Sequence, residues 1–178
     1  MSDQKPIVIS CGEPAGIGPE IAYRSWGTLR DALPVLWIGN PSHLPKGANF
    51  KVVSDANDAA AISKTALPVL ARDFGSPNIA GNPNPAHAAG VIASIADGVA
   101  LVQSGEARAI CTAPIHKAAL IDGANFAYPG HTEYLAELAG VDRVVMMLAS
   151  NLLRVVPVTI HIAVEQVSTQ LTASLLTD

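Results

Sequence analysis

Four short stretches of this sequence carry residue types able to hold or act on a ligand. The first is Gly12-Glu13-Pro14-Ala15-Gly16-Ile17-Gly18-Pro19-Glu20. Its glycines let a backbone turn sharply and approach a ligand with no Cβ in the way. The spacing, G-x-x-x-G-x-G, is not the dinucleotide fingerprint G-x-G-x-x-G, and no Lys-Ser/Thr follows as in a P-loop. A tight strand-to-helix turn with no ligand of its own also explains it. The second stretch, Cys111-Thr112-Ala113-Pro114-Ile115-His116-Lys117, offers Lys117 either to a phosphate or carboxylate or simply to solvent.

The third stretch is Tyr128-Pro129-Gly130-His131-Thr132-Glu133-Tyr134-Leu135. Pro-Gly makes a turn, and Thr132 then stands where a helix N-cap belongs. Free N–H groups and the helix dipole make such an end an anion site, to which His131 and the Thr132 hydroxyl add two donors. Plain capping by Thr132 beside a surface histidine fits the same residues. The fourth is Val158-Thr159-Ile160-His161-Ile162, where alternation puts His161 and Thr159 opposite Val156, Val158, Ile160 and Ile162. His161 is then either a ligand-facing group or part of the packing. One histidine is not a metal centre, which takes about three protein ligands. Neither His43 nor His87 has a local metal-ligand spacing to it.

These groups need a scaffold, and the apolar pattern supplies one. Continuous apolar runs at 7–11 and 35–38, weaker ones at 50–53 and 67–70, and others at 109–112, 144–148 and 154–162 read as strands. Helical patterns fall at 19–26, 86–103, 132–138 and from 164 onward, and 73–85 is turn residues almost throughout. Strands alternating with helices predict an α/β fold with a mostly parallel sheet flanked by helices. The ligand-competent stretches then lie past strand carboxyl ends, where open α/β sheets bind ligands.

Composition narrows the function. The 178 residues are 49% hydrophobic and 15% charged, with 11 Lys+Arg against 15 Asp+Glu and a net charge of −4. That excludes disorder. No basic surplus exists to grip phosphate backbones, and 4% aromatics leave little for stacking bases, so no nucleic-acid partner is expected. Two cysteines make no disulfide framework, no signal peptide opens the chain, and no run of about 18 apolar residues spans a membrane. A cytoplasmic protein with no membrane partner is the expectation. So apolar a composition also predicts a surface that meets a partner or a larger body.

The glycine spacing coincides with that of short-chain dehydrogenases. Their catalytic tyrosine has a lysine four residues on, but Tyr23, Tyr128 and Tyr134 are followed there by Gly27, Thr132 and Leu138. Taken together and in order, the motifs instead resemble the 4-hydroxythreonine-4-phosphate dehydrogenase family of vitamin B6 biosynthesis. The matching stretches are GEPAGIGPEI (12–21), TAPIHKAAL (112–120), FAYPGHTEYLAELAG (126–140) and VVMMLASNLLRVVPVTIHI (144–162). One departure is Glu13, where that family usually has Asp.

The resemblance implies an NAD-dependent enzyme, with NADP as an alternative, that oxidises the secondary hydroxyl of 4-(phosphooxy)-threonine to a β-keto acid that loses carbon dioxide. The product is 3-amino-2-oxopropyl phosphate, on the route to pyridoxal phosphate. A divalent cation (zinc, magnesium, cobalt or manganese) is implied as Lewis acid. By the same resemblance His131 and Thr132 bind the substrate, chiefly its phosphate end, and His161 is a metal ligand. The implied fold is the two-domain architecture of isocitrate and isopropylmalate dehydrogenases, working as a homodimer. Residues 1–178 match the N-terminal portion only, and the C-terminal cofactor-binding portion is expected to be missing from this chain, which alone is then inactive. Related four-carbon substrates, D-threonate or D-erythronate 4-phosphate, and a non-catalytic assembly module are the alternatives.

Overall fold

The computed structural model describes residues 4–142, 144–160 and 162–177. Two compact units divide the chain, residues 1–140 and 141–178. The first is built on five strands: β1 (Ile7–Ser10), β2 (Val35–Gly39), β3 (Phe50–Val53), β4 (Leu67–Ala71) and β5 (Ala109–Cys111). They form one sheet in the order β3-β4-β2-β1-β5, and every pairing is parallel. The parallel sheet flanked by helices is therefore as the apolar runs predict. The runs were continuous because both faces are covered: all five residues of β2 are buried.

The pleat splits the core in two. Ile9, Val35, Trp37, Leu67 and Val69 belong to one cluster, with Ala22 and Trp26 of α1 (Gly18–Leu29) and Val91 and Ile95 of α3 (Ala88–Gln103). Val8, Leu36, Ile38 and Val53 belong to the other, with Ala59 of α2 (Ala59–Ile62). Buried Ser63 ties the first helix to the sheet. Its carbonyl accepts from Trp26 Nε1 at 2.6 Å, and its hydroxyl accepts from Val35 N at 3.1 Å.

By length and composition Pro85–Gln103 could cross a membrane, where the sequence reading found no such run. In the fold it is a core helix packed on β1 and β2, with Val91 and Ile95 fully buried.

Two helices follow β5. Helix α4 (Lys117–Ala124) is an addition, since none of the helical patterns read from the sequence covers 117–124. Its start is capped by the His116 ring, whose Nδ1 accepts from Ala119 N at 3.2 Å, and Asn125 ends it in the left-handed conformation. Helix α5 (His131–Ala139) ends at Gly140, also left-handed. It is held to α3 by Tyr134 Oη donating to Ile92 O and Gln103 Nε2 donating to Leu138 O.

The second unit departs furthest from expectation. No strand occupies 144–147, and of the long strand read at 154–162 the described residues form only β7 (Arg154–Val155), antiparallel to β6 (Leu148–Ala149). The hairpin closes through Ser150, whose N–H donates to Leu153 O at 2.8 Å. A longer ladder needs a buried face to enforce its alternation, and here Val145, Leu148, Leu152 and Leu153 are all exposed. The expected final helix is two short ones, α6 (Val167–Gln170) and α7 (Ala173–Thr177), separated where Leu171 becomes extended.

Candidate functional site

The chain leaves β1 toward β2 on one side and reaches β5 on the other, so the carboxyl ends of β1 and β5 flank a topological switch point. Crevices at such points are where open α/β sheets take ligands. The glycine stretch follows β1 and the Thr112–Lys117 stretch follows β5, so the sheet order brings two of the four candidate stretches together.

They interlock. Ala113 N donates to Ser10 Oγ at 3.3 Å, and Glu13 N donates to Pro114 O at 2.8 Å. Gly12 has φ +67, and a Cβ there would lie 2.5 Å from Pro114 O, so this contact requires glycine on both counts.

The glycine loop is no open anion cradle. Glu13 is buried, and its Oε1 accepts from Ala15 N at 2.9 Å while its carbonyl accepts from Gly16 N at 3.0 Å. The loop's own carboxylate fills the place an anion would take. Its charge also adds to burial in pushing the Cys11 thiol up. Glu13→Ala is expected to destabilise the unit by about 1–3 kcal/mol, by leaving a buried N–H unmatched. Glu13→Gln, which keeps the accepting oxygen, should cost less; urea unfolding of the two variants checks the order.

A third segment, the turn-rich 73–85, bonds to this loop. Asn78 Nδ2 donates to Pro14 O and Gly81 N donates to Ala15 O, both at 2.7 Å.

His131 and Thr132 open α5, but not as the spacing predicts. Gly130 takes the N-cap with extended backbone and supplies no side chain, so Thr132 sits inside the first turn and its hydroxyl has no protein partner among the described residues. His131 Nε2 is buried without a partner, and burial pushes this ring's pKa down. An uncapped helix start, a free hydroxyl and a neutral imidazole with an unspent nitrogen form one donor set for an anion. Three aromatic rings, Phe126, Tyr128 and Tyr134, pack the turn before it at centroid spacings of 5.1–5.3 Å. No hydrogen bond joins His131 or Thr132 to either interlocked loop among the described residues. His161 lies outside the described residues.

Sequence reasoning missed three polar groups at the carboxyl edge: the capping role of His116 and the buried rings of His43 and His87. The histidines were judged by local spacing, which carries no signal for groups brought together only by the sheet.

A five-stranded parallel sheet with two loops interlocked at its switch point defines an α/β protein of the open-sheet class, in which ligands bind at the strands' carboxyl ends. The comparisons place it more closely. A family model described as "Pyridoxal phosphate biosynthetic protein PdxA" matches residues 30–178, and the chain belongs to that family. A 4-hydroxythreonine-4-phosphate dehydrogenase from Roseobacter denitrificans is 56% identical over 172 residues, which cover 96% of this chain and 53% of the relative. Another, from a Ruegeria species, is 58% identical over 166 residues, 93% of this chain and 51% of the relative. The crystal structure of a 4-hydroxythreonine-4-phosphate dehydrogenase from Klebsiella pneumoniae matches with a TM-score of 0.83 at 28% identity, covering 97% of this chain and 56% of that one. The family read from the four motifs is thus borne out. The chain spans about half the length of the curated relatives it matches.

Proposed function

We propose that this chain belongs to an enzyme that oxidises and decarboxylates 4-(phosphooxy)-threonine in pyridoxal phosphate biosynthesis, and that His131 and Thr132 bind the substrate's phosphate. The observation that carries this reading is the start of α5, where cap, hydroxyl and Nε2 are all unspent. NAD as hydride acceptor, with NADP as the alternative, a divalent cation, a homodimer and the cytoplasm complete the proposal; the names of the relatives support the dehydrogenase chemistry.

The described residues do not assemble the metal centre. Among them no three His, Cys, Asp or Glu side chains gather, whereas a catalytic divalent metal takes about three protein ligands. His161 is proposed as one of its ligands. What this chain's own residues do is anchor and orient. The phosphate accepts from the first-turn N–H groups of α5 and from the Thr132 hydroxyl, and His131 donates to a further oxygen. Holding the phosphate end fixes where the rest of a four-carbon substrate lies.

Calorimetric titration of the chain with 4-(phosphooxy)-threonine, and in parallel with inorganic phosphate, tests this. Losing one charge-assisted hydrogen bond costs about 1.5–3 kcal/mol, so Thr132→Val and His131→Gln should each weaken both ligands roughly tenfold or more. Unchanged affinities in both variants would overturn the assignment. D-erythronate 4-phosphate, run beside them, reports how strongly the amino group is read.

A further inference from the structure

Two buried histidines stand at the carboxyl edge of the sheet, unused by the proposed reaction. His43 lies in the short turn Pro41–His43 that follows β2, and His87 in the turn Pro85–His87 that leads into α3. Their relative exposures are 7% and 0%, and their ring centroids are 5.5 Å apart. Phe74 stands edge-on to both, at 5.1 Å from His43 and 6.3 Å from His87. Both nitrogens of His43 and Nδ1 of His87 are buried without a partner.

The remaining nitrogen, His87 Nε2, lies 2.9 Å from Ser76 Oγ and 3.0 Å from Ser76 O. A carbonyl only accepts, so Nε2 carries the proton that serves it. Ser76 belongs to the 73–85 strap and is also bonded by Asn84 Nδ2 at 3.1 Å. The histidine–Phe74 cluster therefore anchors one end of the strap whose other residues, Asn78 and Gly81, hold the glycine loop.

We propose that the buried His43–His87 pair is an acid-sensitive latch: protonation of His43 releases the 73–85 strap from the loop that follows β1. The surroundings of His43 offer a cation nothing. Just beyond its own turn, Lys46 is exposed. On the strap side Asp73 spends Oδ1 on Gly75 N, and Arg72 is paired with Asp97 of α3. On α4, which packs against the His87 turn, Lys117 and Asp122 are exposed. Among the described residues His87 is the one titratable group whose charge bears on it, and it repels. A charged His43 needs solvent or an acceptor, and the strap's Phe74 stands edge-on against its ring, so the strap is the element its hydration would displace.

The sign follows. Burial first, and His87 second, hold the closed-state pKa of His43 at about 4, against 6.5 for a hydrated ring. The open form therefore binds the proton better, and opening is favoured progressively as pH falls from 6.5 toward 4. The gap caps the change in open-to-closed ratio at a few hundredfold.

Amide hydrogen exchange of the chain, read by NMR between pH 7 and 4.5 and corrected for intrinsic rates, tests the latch. The Gly81 amide, donor to Ala15 O, should lose protection at least tenfold between pH 6.5 and 5 while Leu36 of β2 keeps its own. The fall should set in below pH 6.5, while the His43 ring signals in the same spectra stay those of the neutral closed form until nearer pH 4, which needs no variant. His43→Phe, an apolar ring of similar size, should leave Gly81 protection flat with pH. Equal loss at Leu36, an unchanged Gly81, a His43 ring that titrates without effect on Gly81, or the same fall in His43→Phe would each overturn the proposal.

Discussion

Gly123→Ala is expected to cost the first unit about 3 kcal/mol or more, above the usual range for overpacking. A Cβ at that position would lie 1.9 Å from Pro85 O, 2.7 Å from Pro85 C and 2.8 Å from the Ala88 Cβ. The obstacle is backbone, in the turn that delivers His87 and begins α3, so no rotamer relieves it. Helix α4 must move away instead, drawing fully buried Leu120 out of the core. Gly27→Ala gives the opposite sign. That glycine lies inside α1 with nothing within 4 Å of its would-be Cβ. Alanine there gains about 0.5–1 kcal/mol of helix propensity. Urea unfolding of the two variants beside the parent should bracket it from both sides, and a Gly123→Ala protein as stable as the parent would refute the close packing of α4 on the Pro85 turn.

Trp26→Ala should destabilise by about 3–5 kcal/mol, the range for deleting a buried aromatic. Trp26 is 3% exposed and joins three things. Its ring packs against Tyr23 at 5.4 Å, its Nε1 donates to Ser63 O, and the Arg30 guanidinium lies 5.5 Å over its face. Ser63 in turn holds the first amide of β2. Trp26→Phe keeps most of the apolar contact and loses the bond, so about 1–2 kcal/mol is expected. Should the two variants lose equal stability, the packing would count for nothing and the ledger of contacts would be wrong. Thermal unfolding by circular dichroism gives both numbers.

The central strands β1 and β2 were legible because burial on both faces writes itself as unbroken apolar runs, as in Val35–Gly39, whereas edge strand β3, largely exposed and interrupted by Lys51, reads more weakly. Where the same composition lacks that burial the rule misleads. Residues 144–148 are as apolar as β2 and 154–162 alternate as a strand would, yet their described side chains are largely exposed and only a two-residue ladder forms among the described residues. Helix α4 was missed because its cap is a histidine ring acting as acceptor, outside the Ser/Thr/Asp/Asn set that signals a helix start. The cap of α5 was misplaced by two residues for a related reason: extended Gly130 needs no side chain to begin a helix, and Thr132 is left free. At the site, residue types were readable and neighbours were not. Nothing in the spacing tells that Glu13 turns back on its own loop, or that His43 and His87 meet.

The pairing of β1 with β5 also sets a schedule. The amide of Ala113 that bonds Ser10 Oγ is made 103 residues after its partner. At common synthesis speeds that is roughly 5–20 s on the ribosome. Throughout that interval the first strand has one edge unclaimed and the loop beyond it lacks the Pro114 carbonyl that its Glu13 amide needs. The crevice is therefore among the last features of this unit to close during translation, and a ligand that recognises it meets only a unit whose sheet is already complete.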